Sequence, residues 1–256
     1  MDKLEINNIN NSLITCKKCC LSTTRTNAVK GEGNLNAKIF FIAQAPGRIE
    51  DKENKMLIGP SGKIFDKLFN ELTISRKDVY ISNIIKCYLP NCRKPRANEL
   101  DICYYNYLAK EIQIVKPKIL IPLGYHVTKY ILKQFDLPIP NRHEFPKLFG
   151  KLLISKNMQI LPLRHPAMVV HNKSKYSLLE KNYKKINILI NKCKYYSECP
   201  IIDYYQSGKI IKDWVDLYCR GNWTECQRYK NYLQRNYIPN NMLPDGTIDI
   251  SLNNYC

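Results

Sequence analysis

Cys16 and Cys19 form a Cys-x-x-Cys pair, and Cys87 and Cys103 follow far downstream. Such a pair can grip one corner of a metal centre, and two distant thiolates can complete a set of four. Zinc and a [4Fe–4S] cluster both fit that count. Buried cysteine also serves as a small apolar side chain, the reading that suits Cys20 and Cys92 taken singly. The chain carries 11 cysteines, and its opening, Met1-Asp2-Lys3-Leu4-Glu5, lacks an apolar signal region. A cytoplasmic protein is therefore expected, in which cysteines ligate metal rather than pair as disulfides.

The second stretch able to do chemistry is Lys38–Gly62. Its apolar run, Lys38 to Ala43, breaks into Gln44-Ala45-Pro46-Gly47, and Gly59-Pro60-Ser61-Gly62 opens an amphipathic segment. A strand fully buried on both faces that ends in a Pro/Gly turn is where open α/β sheets place ligands. No Lys-Ser/Thr follows a spaced glycine pair and no G-x-G-x-x-G occurs, so nucleotide-cradling loops are excluded. The histidines, at 126, 143, 165 and 171, read singly as structural residues.

Alternating elements must position these groups. Apolar runs predict strands at Lys38–Ala43, Val79–Asn83, Lys118–Gly124 and Gln159–Leu163. Helices are expected at Gly62–Leu72, Asn98–Val115 (Asn98 as N-cap), Tyr125–Phe135 and Tyr176–Leu189. Asp2–Thr15 reads as a polar lead-in, and Leu137–Gly150 as a Pro-rich excursion. The pattern implies an α/β fold with a central, mostly parallel four-stranded sheet flanked by helices. Near residue 191 the composition turns Tyr-, Cys- and Trp-rich, so residues 1–190 are expected to form one domain and 191–256 a small α-helical C-terminal extension. With 40 Lys+Arg against 22 Asp+Glu, a net charge of +18, a polyanionic partner is favoured, nucleic acid ahead of membrane.

The ordered motifs CKKC, VKGEG, IFFIAQAPGRIED, LIGPSGK, VYISNIIKC, CRKPRANELDIC and RHPA resemble family 4 uracil-DNA glycosylases, over about Cys16 to Asn187. The resemblance implies the uracil-DNA glycosylase fold, a [4Fe–4S] cluster on Cys16, Cys19, Cys87 and Cys103, and a monomeric DNA repair enzyme. Its reaction would hydrolyse the N-glycosidic bond of deoxyuridine in DNA. Asn83 would read uracil and reject cytosine, His165 would stabilise the departing base, and Glu50, with Asp51 as runner-up, would position the water. Gln44, Ala45, Pro46, Gly47 and Leu57 would line the base pocket. Gln44 replaces the usual Glu, and Leu57 the usual stacking Phe. Pro60, Ser61, Gly62, Arg164, Pro166, Ala167 and Met168 would hold DNA, with Met168 or Val169 as the wedge. Arg93, Lys94 and Arg96 are further phosphate contacts by charge.

The Gln44 and Leu57 departures also fit a second reading, a catalytically weak or inactive iron–sulfur nucleic-acid-binding module. Beyond the core, Cys193, Cys199, Cys219 and Cys226 could form a second thiolate site although no Cys-x-x-Cys occurs there. Trp214 and Trp223 could stack on bases or pack within a helical cap.

Overall fold

The structure, a computed structural model, describes residues 2–155, 158–190 and 193–252. The side chain of Cys92 and the boundary expected at Asn191 fall outside the described residues. The chain divides into two compact units, one of residues 1–151 and 155–182, the other of 152–154 and 183–256. No helix among the described residues is long and apolar enough to cross a membrane.

The apolar run Ile39-Phe40-Phe41-Ile42-Ala43 is buried at every position, which only a strand covered on both faces permits. It is β2, the middle of a mixed sheet that in the first unit holds β1 (Glu32–Gly33), β2 (Ile39–Ala43), β3 (Tyr80–Asn83), β4 (Ile119–Pro122) and β6 (Met158–Ile160), while β5 (Leu153–Ser155) falls largely in the second unit. Within the first unit the order is β1-β3-β2-β4-β6. The four expected strands are present and parallel. β1 adds an antiparallel edge on β3, and β5 is a further short strand. Neither has an apolar run to announce it, being two and three residues long.

Helices cover the sheet: α1 (Asp2–Ile14), α2 (Arg48–Glu53), α3 (Pro60–Glu71), α4 (Ala97–Cys103), α5 (Ala109–Val115), α6 (Tyr125–Gln134), α7 (Ala167–Val170) and α8 (Tyr176–Tyr183). The polar lead-in is a full helix because Ile6, Ile9 and Leu13 recur at helical spacing and bury one stripe. α3 seats Phe65 and Phe69 against Phe41, with ring centroids 5.2 and 5.3 Å away. The helix expected over 98–115 is interrupted by a π-helical turn, Tyr104–Leu108, between α4 and α5. Its N-cap is Arg96 rather than Asn98, since Glu99 reaches back to the Arg96 N–H at 2.8 Å. A fully buried ion pair, Lys86 Nζ to Glu111 Oε2 at 2.6 Å with Ser82 bridging both, ties β3 to α5.

The order places β2 at a topological switch point, with β3 on one side and β4 on the other. Ala43 is in register with Asn83, and Leu123 with Leu163. The loops leaving four parallel strands therefore open on one end of the sheet.

The second unit holds α9 (Lys185–Ile190), α10 (Pro200–Gln206), α11 (Lys212–Trp214) and α12 (Gln227–Gln234). It has its own apolar core of Ile201, Ile202, Tyr204, Val215, Leu243 and Leu252, together with Cys199 and Cys219.

Candidate active site and thiol cluster

At the carboxyl ends of the strands lies a cavity of about 430 Å³ lined by Ala45, Pro46, Gly47, Glu50, Leu57, Pro60, Ser61, Asn83 and His165, with Arg48, Ile49 and Met56. Residues separated by more than a hundred positions thus meet on one surface. Gln44, Gly62, Arg164, Pro166, Ala167 and Met168 are not among the lining residues.

Asn83 ends β3, is 2 % exposed, and its Nδ2 donates to the Met56 sulfur at 3.2 Å. Glu50 sits in the first turn of α2, where a carboxylate suits the helix dipole. Its Oε1 accepts the Gly59 N–H at 2.9 Å, which aims the group at the cavity. Gly47 leaves room for it, because a β-carbon there would push the carboxylate from this position. Asp51, although also buried, turns the other way. It accepts the Thr26 N–H at 2.9 Å and the Asn27 N–H at 3.2 Å, pinning the loop before β1.

His165 follows β6, and its β-carbon lies against Gly124, whose φ of +86° few other residues adopt. Burial pushes the imidazole down to about 4, against a smaller opposing pull from Glu50. It is neutral at pH 7. Nδ1 accepts the Ala167 N–H at 3.1 Å, so the single proton of the neutral ring resides on Nε2.

Leu57 lines the cavity with a φ of +48°, costly for a residue with a β-carbon. Three groups hold it there. Arg76 donates to the carbonyls of Met56 at 2.8 Å and Leu57 at 2.5 Å while its Nε donates to Asp66 at 2.6 Å. Gly62 packs against the Leu57 carbonyl so closely that a β-carbon could not fit. Sequence reasoning missed Met56, Arg76 and Asp66, because their contacts are long-range and no local pattern marks them.

Several expected DNA contacts are engaged elsewhere. Arg93 forks onto Glu99 at 2.6 and 2.9 Å, which holds the Glu99 carboxyl down at about 2. The Arg164 guanidinium lies over the Phe149 ring at 4.8 Å and donates to the Pro146 carbonyl at 3.4 Å. Val169 is buried, which removes it as a wedge, whereas Met168 is half-buried. Lys94 and Arg96 are exposed.

Cys19, Cys87 and Cys103 share one small apolar cluster with Leu21, Ile85 and Leu89. Cys16 joins them at the end of α1, near enough that its charge would raise the Cys19 and Cys87 thiols, which burial raises more. Burial pushes Cys103 up to about 12. Arg25 Nη1 donates to the Cys87 sulfur at 3.1 Å, its Nη2 donates to the Cys16 carbonyl at 2.9 Å, and the Leu21 N–H faces the Cys19 sulfur. Donors aimed at sulfur suit thiolates. Cys20 is exposed and lies 3.5 Å from Glu99, outside this group. Among the described residues no three His, Cys, Asp or Glu side chains close around a single metal ion. A [4Fe–4S] cluster distributes its four thiolates over four irons instead, and the donor set fits it by type and number.

The fold is a mixed α/β sheet, and its strand-end cavity brings together an amide, a neutral imidazole and a carboxylate, groups able to hydrogen-bond a small molecule and offset charge. The sequence profile of the Uracil DNA glycosylase superfamily matches residues 30–192, and the chain belongs to that superfamily, in its type-4 branch. It is 39 % identical over 214 residues to the type-4 uracil-DNA glycosylase of Sulfurisphaera tokodaii, covering 82 % of this chain and 93 % of the relative. The match must reach into the second unit, because residues 1–192 make up only three-quarters of the chain. The Saccharolobus solfataricus type-4 enzyme is 37 % identical, with 73 % and 86 % covered, and that of Archaeoglobus fulgidus 31 %, with 73 % and 94 %.

Proposed function

We infer that this chain excises uracil from DNA, hydrolysing the N-glycosidic bond to leave an abasic site. What carries the reading is the convergence of Asn83, His165 and Glu50 on one cavity within a chain of this family. A base inside a duplex cannot reach such a cavity, so the nucleotide must be flipped out of the stack. The Asn83 amide then presents an acceptor for uracil N3–H and a donor for O4. Met56 sulfur is a weak acceptor, so the O4 carbonyl displaces it at small cost. Cytosine reverses both positions, and two mismatched buried groups cost about 2–6 kcal/mol.

As the glycosidic bond breaks, negative charge grows on uracil O2 and positive charge on the sugar. The neutral His165 ring donates Nε2–H toward O2, the kind of preorganised donor worth about 10²–10³ in rate. Glu50, held by Gly59, accepts the hydrogen bond of the attacking water and offers a counter-charge to the oxocarbenium-like sugar. Leu57 lies against the base by dispersion, and Pro46 and Gly47 present backbone to its edge.

The first-turn N–H groups of Ser61 and Gly62 have no intrahelical acceptor and suit a phosphate. The Pro166-Ala167 turn takes a second phosphate, with Lys94, Arg96 and Arg164 adding positive charge and Met168 filling the vacated stack. Cys16, Cys19, Cys87 and Cys103 would hold the [4Fe–4S] cluster, which when bound supplies a cross-link between the end of α1 and the loop after β3. The enzyme acts as a monomer, and residues 191–256 serve as a small α-helical C-terminal extension.

Single-turnover assay of the purified chain on oligonucleotides carrying one uracil or one cytosine tests this reading. Free uracil should appear and free cytosine should not. Tight DNA binding without release of uracil would replace it with the binding-module reading.

A further inference from the structure

The second unit contains a cluster of chemistry that base excision does not use. A small space of about 20 Å³ is lined by Cys193, Cys199, Cys219 and Cys226, with a wall of Tyr195, Trp223 and other aromatics, and Arg228. Cys199, Cys219 and Cys226 are buried, Cys193 partly so, and all are free thiols. The Cys193 N–H donates to the Cys219 carbonyl at 3.1 Å, binding the two halves of the set together. From sequence alone these residues are merely four scattered cysteines, with five and six residues between the members of each pair.

Two observations distinguish this cluster from a patch of apolar packing. The first is Arg228, which is 2 % exposed. Its Nη1 donates to the carbonyls of Pro239, Asn240 and Met242 at 2.6, 3.2 and 2.9 Å. Its Nε is buried with no acceptor, and no described carboxylate pairs with it. A buried guanidinium without an anion is costly, and carbonyl oxygens carry no net charge to offset it. Four thiolates around a divalent ion carry net negative charge and would supply the missing partner. In the first unit the corresponding arrangement is visible, with Arg25 donating to the Cys87 sulfur.

The second observation is local backbone geometry. The Tyr195 N–H faces the Cys193 sulfur, and the Arg228 and Tyr229 N–H groups face that of Cys226. The Leu21 N–H meets the Cys19 sulfur two residues away in the same manner. Amides facing a sulfur from two or three residues ahead stabilise thiolate and orient its lone pairs. A protonated thiol in an apolar pocket has little use for them.

We propose that Cys193, Cys199, Cys219 and Cys226 form a second tetrathiolate metal site, with Arg228 as its charge partner. The site is structural, since all four protein ligands would be used and no position would remain open for a substrate. It would hold α12 and the segment 219–226 onto the turn that begins at Cys193. As they stand, no three of these side chains close around one ion; Zn²⁺ is the expected occupant, the four sulfurs drawing in around it. An iron–sulfur cluster on the same thiolates is the other form of the same chemistry. The proposal does not depend on the base-excision reading.

The test is metal analysis of the full chain, purified without oxygen, for wild type, Cys103→Ala and the double variant Cys219→Ser/Cys226→Ser. Wild type should carry about one zinc per chain with four sulfur neighbours in its X-ray absorption spectrum. Cys103→Ala should retain that zinc, and the double variant should lose it while keeping its iron. Iron lost from the double variant in place of zinc supports the site as a cluster. Should the double variant fail to fold, alkylation of wild type read by mass spectrometry decides. Cys193, Cys199, Cys219 and Cys226 should resist the reagent until a chelator removes metal, then react together. Equal metal content in wild type and double variant, a Cys193–Cys226 set that reacts without metal loss, or disulfides among the four would each overturn the proposal.

Discussion

Neutral His165 makes the sharpest prediction about pH. Its imidazole, pushed down to about 4 by burial, contrasts with the ordinary value near 6.5. Above pH 6.5 the ring is uncharged in both folded and unfolded chains and contributes nothing to the pH dependence. As pH falls from 6.5 toward 4, the unfolded chain takes up a proton that the folded one refuses, so stability is lost across that window. The full linkage by pH 4.5 is about 2.5 kcal/mol; discounted for the partial exposure of the side chain, the loss amounts to about 1–2 kcal/mol. Urea unfolding of wild type and His165→Ala at pH 7.5 and 4.5 isolates it, since other titrating groups are common to both. Wild type should lose about 1–2 kcal/mol more than the variant between the two values. In single-turnover uracil release, His165→Ala should be slower by about 10²–10³, and wild type should show no inflection near pH 6.5. An inflection there that vanishes in His165→Ala would show that the ring titrates normally and refute the neutral-donor mechanism.

Leu57→Phe should raise uracil release at low substrate concentration by about three- to thirty-fold, since stacking on an aromatic is worth about 1–3 kcal/mol and Leu recovers only part of it. The gain should vanish at saturation if stacking acts equally on ground and transition states, and a slower Leu57→Phe enzyme would mean that the cavity has no room for the ring. Cys103→Ala should lose its iron, its brown absorbance and much of its stability, whereas Cys20→Ala should keep all three; matching losses would dissolve the ligand assignment. Glu50→Gln should cut the single-turnover rate with little change in the unfolding midpoint. Asp51→Asn should do the reverse, costing about 1–3 kcal/mol of stability through the Thr26 and Asn27 amides, and a rate loss without destabilisation would reassign the water-positioning carboxylate.

What could be read in advance followed from local signals. The run Ile39–Ala43 had to be a doubly buried strand, and the turn after it had to lie at a sheet end, so the location of the cavity was legible. The strands β1 and β5 were not, because two or three residues, none fully buried, carry no periodicity. The π-helical turn after Cys103 was equally silent, since it preserves the apolar spacing that suggested one continuous helix. In the site, residue types pointed to Asn83, His165 and Glu50, but the side chains that tune them are set by tertiary contact. Asp51 and Glu50 are neighbours in sequence with opposite facings, decided by which backbone amides each meets. The Arg76 clamp on Leu57 and the engagement of Arg93 by Glu99 likewise arise only once distant segments are brought together.

The central claim is that an amide at the end of β3 reads the edge of a flipped uracil in the strand-end cavity. The most direct measurement is the ratio of single-turnover release of uracil to that of cytosine by wild type and Asn83→Asp. The substitution leaves the cavity's size unchanged but alters the order of donor and acceptor. The ratio should fall in Asn83→Asp, with uracil release slowed and cytosine release raised relative to it. An unchanged ratio would mean that Asn83 does not read the base, and the account of this site would be wrong.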